Sequence, residues 1–330
     1  MVRNLVARVE RFPVRGVFTI ARGAKTHVDV VVAEVTGGAH LGRGEGTAIY
    51  YHGETATTVV GQILAQGDAV AAGATRADLL TLMGPGAARN ALDAALWDLE
   101  AKLAGRRVWQ LLGLPAPRPM LTAYTISLAD PGAMAAAAGV AKARELLKIK
   151  LGGDGGPDGD IERVAAVRAA APDARLIVDA NEAWGGTDIA RTAAALALLG
   201  VELIEQPVPA GQDALLDGVR SAVPLAADES CHDRATLGEI IGRYSHINIK
   251  LDKAGGLTEA MALVHAARTR GLGIMTGCML STSLGIAPAF YVAMQGQYAD
   301  LDGPLLIEDR AGGLRFEDSD VWPPEAELWG

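Results

Sequence analysis

The sequence predicts an α/β protein, a (β/α)8-type barrel preceded by an α+β unit. Short apolar runs recur and end in charged residues: E-L-L-K-I-K (145–150), R-L-I-V-D-A-N (175–181), V-E-L-I-E-Q-P (201–207), P-L-A-A-D-E-S (224–230) and H-I-N-I-K-L-D (246–252). From Lys150 the charges follow at steps of 29, 26, 23 and 22 residues, about one strand and one helix each. Such alternation is typical of parallel strands in βαβ units. Because the carboxyl ends of these strands share one edge, we expect the charges to meet there.

The first ~115 residues have a different pattern, which predicts a separate α+β domain over residues 1–115. Residues 27–35 are β-branched and partly alternating, as in a half-buried antiparallel strand. Residues 84–105 carry apolar residues at helical spacing, with Gly105 as a stop. The proline-rich stretch 115–119 is the predicted linker.

A loop is predicted over residues 18–26, where Arg22 and Lys25 flank a glycine. Two interpretations remain open. The segment is either a solvated loop or a flap whose cation meets an anionic substrate.

The predicted barrel occupies residues 120–304. Its first strand lies within 121–128 and has Thr125 near its end, the seventh is expected near 271–276 and the eighth near 297–304. A barrel of this kind typically needs ~250 residues, so this one is short. The tail, residues 305–330, is expected to pack back on the N-terminal domain.

Two glycine-rich or uncharged stretches need an interpretation. Residues 152–160 lack the G-K-[ST] of a phosphate loop, and we predict a mobile βα loop in which Asp160 caps the next helix. Residues 271–299 carry no charge, but glycines, glutamines and Pro288 interrupt them. We therefore predict a buried strand and helix there rather than a membrane span, which needs ~20 mainly apolar residues.

Asp179, Glu205 and Asp228 end three successive predicted strands. Three converging carboxylates repel one another unless a cation lies between them. All-oxygen ligands suit Mg²⁺, with Mn²⁺ as the alternative. The competing interpretation is that each carboxylate forms a separate salt bridge.

Two lysines flank this trio, because Lys150 lies one strand before it and Lys250 one strand after. In a closed barrel they should face each other across the metal. A lysine acts as a general base only when its pKa, ~10.4 in water, is lowered by burial or by a neighbouring cation such as Lys148. Two bases and a metal that stabilises an enediolate predict racemisation or epimerisation next to a carboxylate.

Composition excludes several other classes. Half of the 330 residues are hydrophobic, and the formal net charge is −9 without a Lys/Arg cluster, which argues against a nucleic-acid partner. The charged N-terminus has no signal-peptide core, and the two cysteines suit a reducing cytoplasm. We predict a cytoplasmic enzyme with no membrane partner. A homo-oligomer is compatible with the sequence.

The motifs in this order resemble the enolase superfamily, in particular its muconate-lactonizing subgroup. The resemblance also covers A-L-D-A-A-L-W-D-L (91–99) and I-K-L-D-K-A-G-G (249–256). It implies an N-terminal capping domain completed by the C-terminal tail. It also implies that Asp179, Glu205 and Asp228 bind Mg²⁺ and that Lys150 and Lys250 are the acid/base pair.

Within the subgroup, A-D-L-D-G-P-L (299–305) resembles the D-x-D motif of dipeptide epimerases. The resemblance implies that Asp300 and Asp302 hold the substrate's ammonium group. A turn or surface pair is the alternative. The segment 18–25 is similar to the flap of L-Ala-D/L-Glu epimerases, in which a residue matching Arg22 binds the glutamate carboxylate.

The same resemblance places three further residues, Thr125, Lys148 and Cys278, against the substrate, although Cys278 also fits a plain core position. It implies epimerisation of a murein dipeptide. The alternatives are an N-succinylamino acid racemase or an o-succinylbenzoate synthase on the same scaffold, and, more remotely, a binding protein without activity.

Overall fold

The computed structural model describes residues 2–330. Its N-terminal part begins with an antiparallel sheet of three strands, β1 (Arg3–Ile20), β2 (Gly23–Gly37) and β3 (His40–Gly46). The strand predicted at residues 27–35 is confirmed as part of β2. The loop predicted at residues 18–26 is wrong, because Ile20 pairs with Gly23 and only two residues form the turn. Phe18, Thr19 and Ile20 continue β1, as expected for β-branched and aromatic residues.

Five helices cover this sheet or follow it: α1 (Ala56–Leu64), α2 (Gly67–Ala71), α3 (Arg76–Leu82), α4 (Ala87–Ala104) and α5 (Val108–Leu111). Helix α4 stops before Gly105, as predicted, and Gly105 caps it in a left-handed conformation.

Helix α4 lies directly on β3 through small residues. Gly42, Gly44 and Gly46 each face the α4 backbone so closely that a Cβ atom would clash with it. Two strand residues advance about 6.6 Å and four helical residues about 6.0 Å, so G-x-G-x-G matches alanines spaced four apart. This spacing lets the two backbones run in contact.

The larger part of the chain is an eight-stranded parallel sheet, as predicted, in the order β12-β11-β10-β9-β8-β7-β6-β5. Its strands are β5 (Tyr124–Ile126), β6 (Leu146–Lys150), β7 (Arg175–Asp179), β8 (Val201–Glu205), β9 (Leu225–Ala227), β10 (His246–Ile249), β11 (Gly273–Thr276) and β12 (Tyr298–Ala299). The sheet curls on itself, and the backbone N–H of Ala123, the residue before β5, donates a hydrogen bond of 2.8 Å to the Ala299 carbonyl at the end of β12.

The helices of this part are α6 (Pro131–Val140), α7 (Gly156–Ala170), α8 (Ile189–Leu198), α9 (Leu237–Ile240), α10 (Leu251–Ala254), α11 (Leu257–Thr269), α12 (Ser283–Ala293) and α13 (Gly303–Leu306). Two of the connections between neighbouring strands contain only a short helical element. A 3-10 turn at Asp213–Leu216 is the helical element between β8 and β9, and the four-residue α9 connects β9 to β10. These short connections explain why the barrel is short.

The uncharged stretch 271–299 forms β11 and the buried helix α12, as predicted. Within residues 2–330, no helix is both long and apolar enough to cross a membrane.

The C-terminal residues contact both parts of the chain. Two short strands, β13 (Phe316–Glu317) and β14 (Asp320–Val321), join β4 (Met120–Leu121) in a small antiparallel sheet. The Trp329 indole then donates a hydrogen bond of 3.1 Å to the Ala94 carbonyl of α4. The domain boundaries at residues 115, 120 and 304 stay predictions.

Candidate active site

The charged side chains lie at one end of the barrel because of strand alternation. A small apolar cluster fills the inside, with members Leu146, Ile177, Leu203 and Ala226. Residues two positions further along a strand point to the same side. The next inward-facing positions are therefore Lys148, Asp179, Glu205 and Asp228, all of which are buried.

Register brings these groups level with one another. Lys150 pairs with Asp179, and Asp179 pairs with Glu205 on the next strand. One carboxylate oxygen each from Asp179, Glu205 and Asp228 lies within 4.8 Å of the others. Opposite oxygens around Mg²⁺ are about 4.2 Å apart, so this all-oxygen set fits a hard divalent ion.

Each carboxylate of the trio pairs with a lysine. The amines of Lys150 and Lys250 lie 2.6 Å from Asp179 and Asp228, respectively. Burial by itself lowers the pKa of Lys250, but Asp228 and Glu205 outweigh it and raise that pKa well above its usual value. The expected lowering of the pKa therefore does not occur for Lys250 while it is paired with these carboxylates.

Lys148 lies deeper and connects two groups. Its amine lies 2.6 Å from Glu205 and 2.7 Å from Asp300. Burial opposes the charged form of Lys148, but Asp300 and Glu205 raise its pKa well above the usual range. The burial of Glu205 itself and the neighbouring negative charge of Asp179 raise the pKa of Glu205.

Two residues that sequence reasoning missed support the trio. Asn248 donates a hydrogen bond of 2.7 Å to Glu205. The buried Lys253 lies 2.5 Å from the Asp228 carboxylate and also donates to the Asp228 carbonyl oxygen. Lys253 stands three residues after Lys250 in the quoted motif, and this spacing was the available signal.

The two aspartates at the end of β12 have different partners. Asp300 accepts a hydrogen bond from Lys148 through Oδ2, while its buried Oδ1 has no hydrogen-bond partner within residues 2–330. Asp302 accepts the Thr125 backbone N–H at 2.6 Å. Burial, and then the neighbouring Asp300, raise the pKa of Asp302 to about 7.

Arg22 lies at the turn between β1 and β2 and is drawn onto the barrel. Its guanidinium lies 2.6 Å from Glu182 and 2.5 Å from Glu229, and it donates to the Tyr50 hydroxyl at 2.9 Å. Burial lowers the pKa of Arg22, but Glu229 and Tyr50 outweigh it, so the pKa is raised. None of these three partners was predicted from the sequence, because they are distant from Arg22 along the chain.

Most of the predicted site residues line one cavity of about 210 Å³. The sequence-predicted residues that line it are Arg22, Thr125, Lys150, Lys250, Cys278, Asp300 and Asp302. Lys148 and the carboxylate trio lie beneath it and contact its lining residues. Burial raises the pKa of the Cys278 thiol.

Asp160 is a correction to the sequence-based prediction. Helix α7 begins at Gly156, after Gly155 in a left-handed conformation, so Asp160 does not cap it. The buried Asp160 carboxylate instead accepts hydrogen bonds from the Gly152 backbone N–H at 3.0 Å and from the Trp184 indole N–H at 2.8 Å. It holds the segment that follows Lys150.

Family comparisons agree with this architecture. Residues 3–113 match the N-terminal domain of mandelate racemase and muconate lactonizing enzyme, and residues 133–326 match the enolase C-terminal domain-like family. The chain belongs to the enolase superfamily. The resemblance seen in the sequence motifs is thereby confirmed.

Two relatives are similar over most of the chain. The L-Ala-D/L-Glu epimerase of Escherichia coli (strain K12) is 43% identical over 320 residues, which cover 96% of this chain and 98% of the relative. The N-acetyl-D-glutamate racemase of a Pseudoalteromonas species is 44% identical over 254 residues, which cover 77% of this chain and 79% of the relative.

Solved structures extend the comparison. An enolase family member from Agrobacterium tumefaciens, homologous to dipeptide epimerases and bound to sodium and L-Ala-L-Glu, is 52% identical, with a TM-score of 0.95 over 99% of this chain and 100% of that chain. The dipeptide epimerase of Enterococcus faecalis V583, complexed with Mg and L-Leu-L-Tyr, is 31% identical with a TM-score of 0.90, and the match covers 98% of each chain.

Proposed function

We propose that this protein is a Mg²⁺-dependent dipeptide epimerase that inverts the α-carbon of the C-terminal residue, with L-Ala-D/L-Glu as its substrate. The observation that carries the proposal is that Lys150 and Lys250 line one cavity, from strands on either side of those that carry the acidic trio. The similarity to the Escherichia coli epimerase over nearly the whole chain supports this substrate.

The two lysines perform the proton transfer. One amine, in its neutral form, removes the α-proton and becomes an ammonium, and the other ammonium returns a proton to the opposite face. Asp179, Glu205 and Asp228 would hold Mg²⁺, which when bound supplies positive charge for the negative charge that develops on the substrate carboxylate. Lys148, whose amine lies 2.6 Å from Glu205, holds the Glu205 carboxylate in place.

The other end of the dipeptide carries an ammonium group. The buried and unpaired Asp300 Oδ1 is an acceptor for it, and Asp302 lies beside Asp300 on the cavity wall. A buried acceptor without a partner is costly, so an ammonium there is favourable. Thr125 positions Asp302 through its backbone N–H, and Cys278 contributes its side chain to the same wall.

This activity belongs in murein-peptide salvage in the cytoplasm, where dipeptides of alanine and glutamate are released from cell-wall fragments. The absence of a disulfide between Cys231 and Cys278, which are both free, is consistent with that setting.

Solvent deuterium exchange tests the proposal. L-Ala-L-Glu is incubated with the protein and Mg²⁺ in D₂O, and the glutamate α-proton is followed by NMR. We expect exchange and interconversion with L-Ala-D-Glu in the wild type. Interconversion should fall at least ~10³-fold in both Lys150→Ala and Lys250→Ala, because each removes an acid/base group, whereas exchange of L-Ala-L-Glu should fall only in the variant that lacks the lysine on the face of its α-proton. Lys142→Ala, at an exposed lysine, is the control. Full activity in both active-site variants would refute the proposal.

N-acylamino acid racemisation is the second candidate, supported by the similarity to the N-acetyl-D-glutamate racemase. Its substrate has no ammonium group. Asp300→Asn should therefore reduce kcat/KM for L-Ala-L-Glu roughly 10-fold or more, the loss typical of a charged hydrogen bond, and spare N-acetylglutamate. Higher wild-type kcat/KM for N-acetylglutamate than for L-Ala-L-Glu would favour this candidate.

A further inference from the structure

Two cations from the β1–β2 hairpin line the cavity, Arg22 and Lys25. An acidic substrate side chain needs a cation whose charge is not already neutralised. The contacts of the two residues differ in this respect.

Arg22 is already occupied by acidic partners. Its guanidinium contacts both Glu182 and Glu229 and uses a third donor on the Tyr50 hydroxyl. Two carboxylates against one guanidinium leave an excess of negative charge there. A third carboxylate, from a substrate, would be repelled by the first two.

Lys25 has no such partner. Within residues 2–330, no carboxylate oxygen lies within 4.0 Å of its amine, which sits 4.9 Å from the centre of the Tyr50 ring. The side chain extends from β2 opposite Phe18 on β1. Burial lowers the pKa of Lys25, so a bound anion would stabilise its charged form.

The surroundings of Lys25 strengthen its attraction for an anion. The cavity that Lys25 lines also has apolar lining residues from the hairpin and the barrel: Phe18, Ile20, Met279, Leu280 and Leu306. Coulombic attraction is stronger in such a low-dielectric setting than in water. An acidic side chain that enters the cavity can therefore reach a cation, Lys25, that has no carboxylate partner within residues 2–330.

We propose that Lys25 is the residue that selects an acidic side chain on the epimerised residue, and that Arg22 serves to hold the hairpin turn against the barrel. This inference rests on the proposed dipeptide epimerase function. It differs from the role that the family resemblance implies for Arg22.

The test compares a charged substrate with its neutral isostere. Deuterium exchange gives kcat/KM for L-Ala-L-Glu and L-Ala-L-Gln, and the ratio of the two reports selection for the charge. We expect Lys25→Met to lower this ratio roughly 10- to 100-fold, the equivalent of one charged hydrogen bond, and Lys25→Arg to restore most of it. Arg22→Met should slow both substrates and leave the ratio near that of the wild type. The control Lys142→Met should change neither the rates nor the ratio.

The outcomes separate the two proposals. Wild-type protein that exchanges neither dipeptide overturns the proposed function itself. An active wild type whose ratio survives Lys25→Met, or falls only in Arg22→Met, overturns the assignment of Lys25 alone. Lys25→Glu gives an independent measurement, because reversing the charge should shift preference toward L-Ala-L-Lys, and an unshifted preference contradicts the assignment.

Discussion

Lys253 offers the sharpest test of how the acidic trio is held in place. Its buried amine contacts the Asp228 carboxylate at 2.5 Å, the Asp228 carbonyl oxygen, the Cys231 carbonyl oxygen at 2.9 Å and the Asn248 carbonyl oxygen at 3.2 Å. A single cation thus ties β10 to the segment that follows β9. We predict that Lys253→Met destabilises the protein and weakens metal binding.

The size of the effect follows from these contacts. Breaking a buried ion pair by removing one partner costs about 3–5 kcal/mol. Asp228 keeps Lys250 at 2.6 Å, which reduces the loss. Methionine is flexible and of similar length, so it leaves little empty space. We therefore expect a decrease of about 3 kcal/mol in the free energy of unfolding.

Urea unfolding monitored by circular dichroism gives the free energy of unfolding of Lys253→Met, of the wild type and of the control Lys142→Met. Mg²⁺ affinity, measured by titration calorimetry without substrate, should fall about 10- to 100-fold, because Asp228 loses the group that orients it. A Lys253→Met protein that unfolds within about 0.5 kcal/mol of the wild type would refute the reasoning, since ordinary surface substitutions change stability by no more than that.

Two further predictions concern parts of the molecule away from the cavity. In Gly44→Ala, the new Cβ would lie 2.6 Å from the Ala95 nitrogen, so we expect about 3 kcal/mol or more of destabilisation in urea unfolding, whereas Gly61→Ala on α1, in open space, should stabilise by about 0.5–1 kcal/mol. Equal effects of the two alanines would contradict the close packing of α4 on β3. Burial raises the pKa of Asp93 from 3.8 to about 6. At pH values between these two, the Asp93 carboxylate therefore takes up a proton when the protein folds. Stability of the wild type relative to Asp93→Asn should therefore fall as the pH rises from about 4 to about 6, by at most ~1.4 kcal/mol per pH unit. A pH-independent difference in urea unfolding would show that this pKa is not raised.

Much of the barrel could be predicted because its signals are local. Alternation along each strand places Asp179 on the same side as Ile177, and parallel pairing places it beside Lys150. Both rules need only a few neighbouring residues and the repeat length. The positions of Lys150 and Lys250 beside the trio follow from the same alternation and register.

Other features depend on contacts between distant segments. Arg22 is one example, because nothing in residues 18–26 shows that its guanidinium will contact Glu182 and Glu229 on the barrel. The position of Asp160 in the sequence suggests a helix cap, but its carboxylate accepts hydrogen bonds from the Gly152 backbone and the Trp184 indole instead. Local sequence does not contain these competing partners.

The sequence by itself determined the parallel repeat, the three carboxylates and the two lysines, since strand period and register depend on near neighbours. Only the tertiary structure decided which cation at the hairpin stays unpaired. That outcome depends on the charges of Glu182 and Glu229, which folding brings to Arg22 and not to Lys25. Electrostatic pairing acts through space, so it becomes visible only when the distant segments are in place.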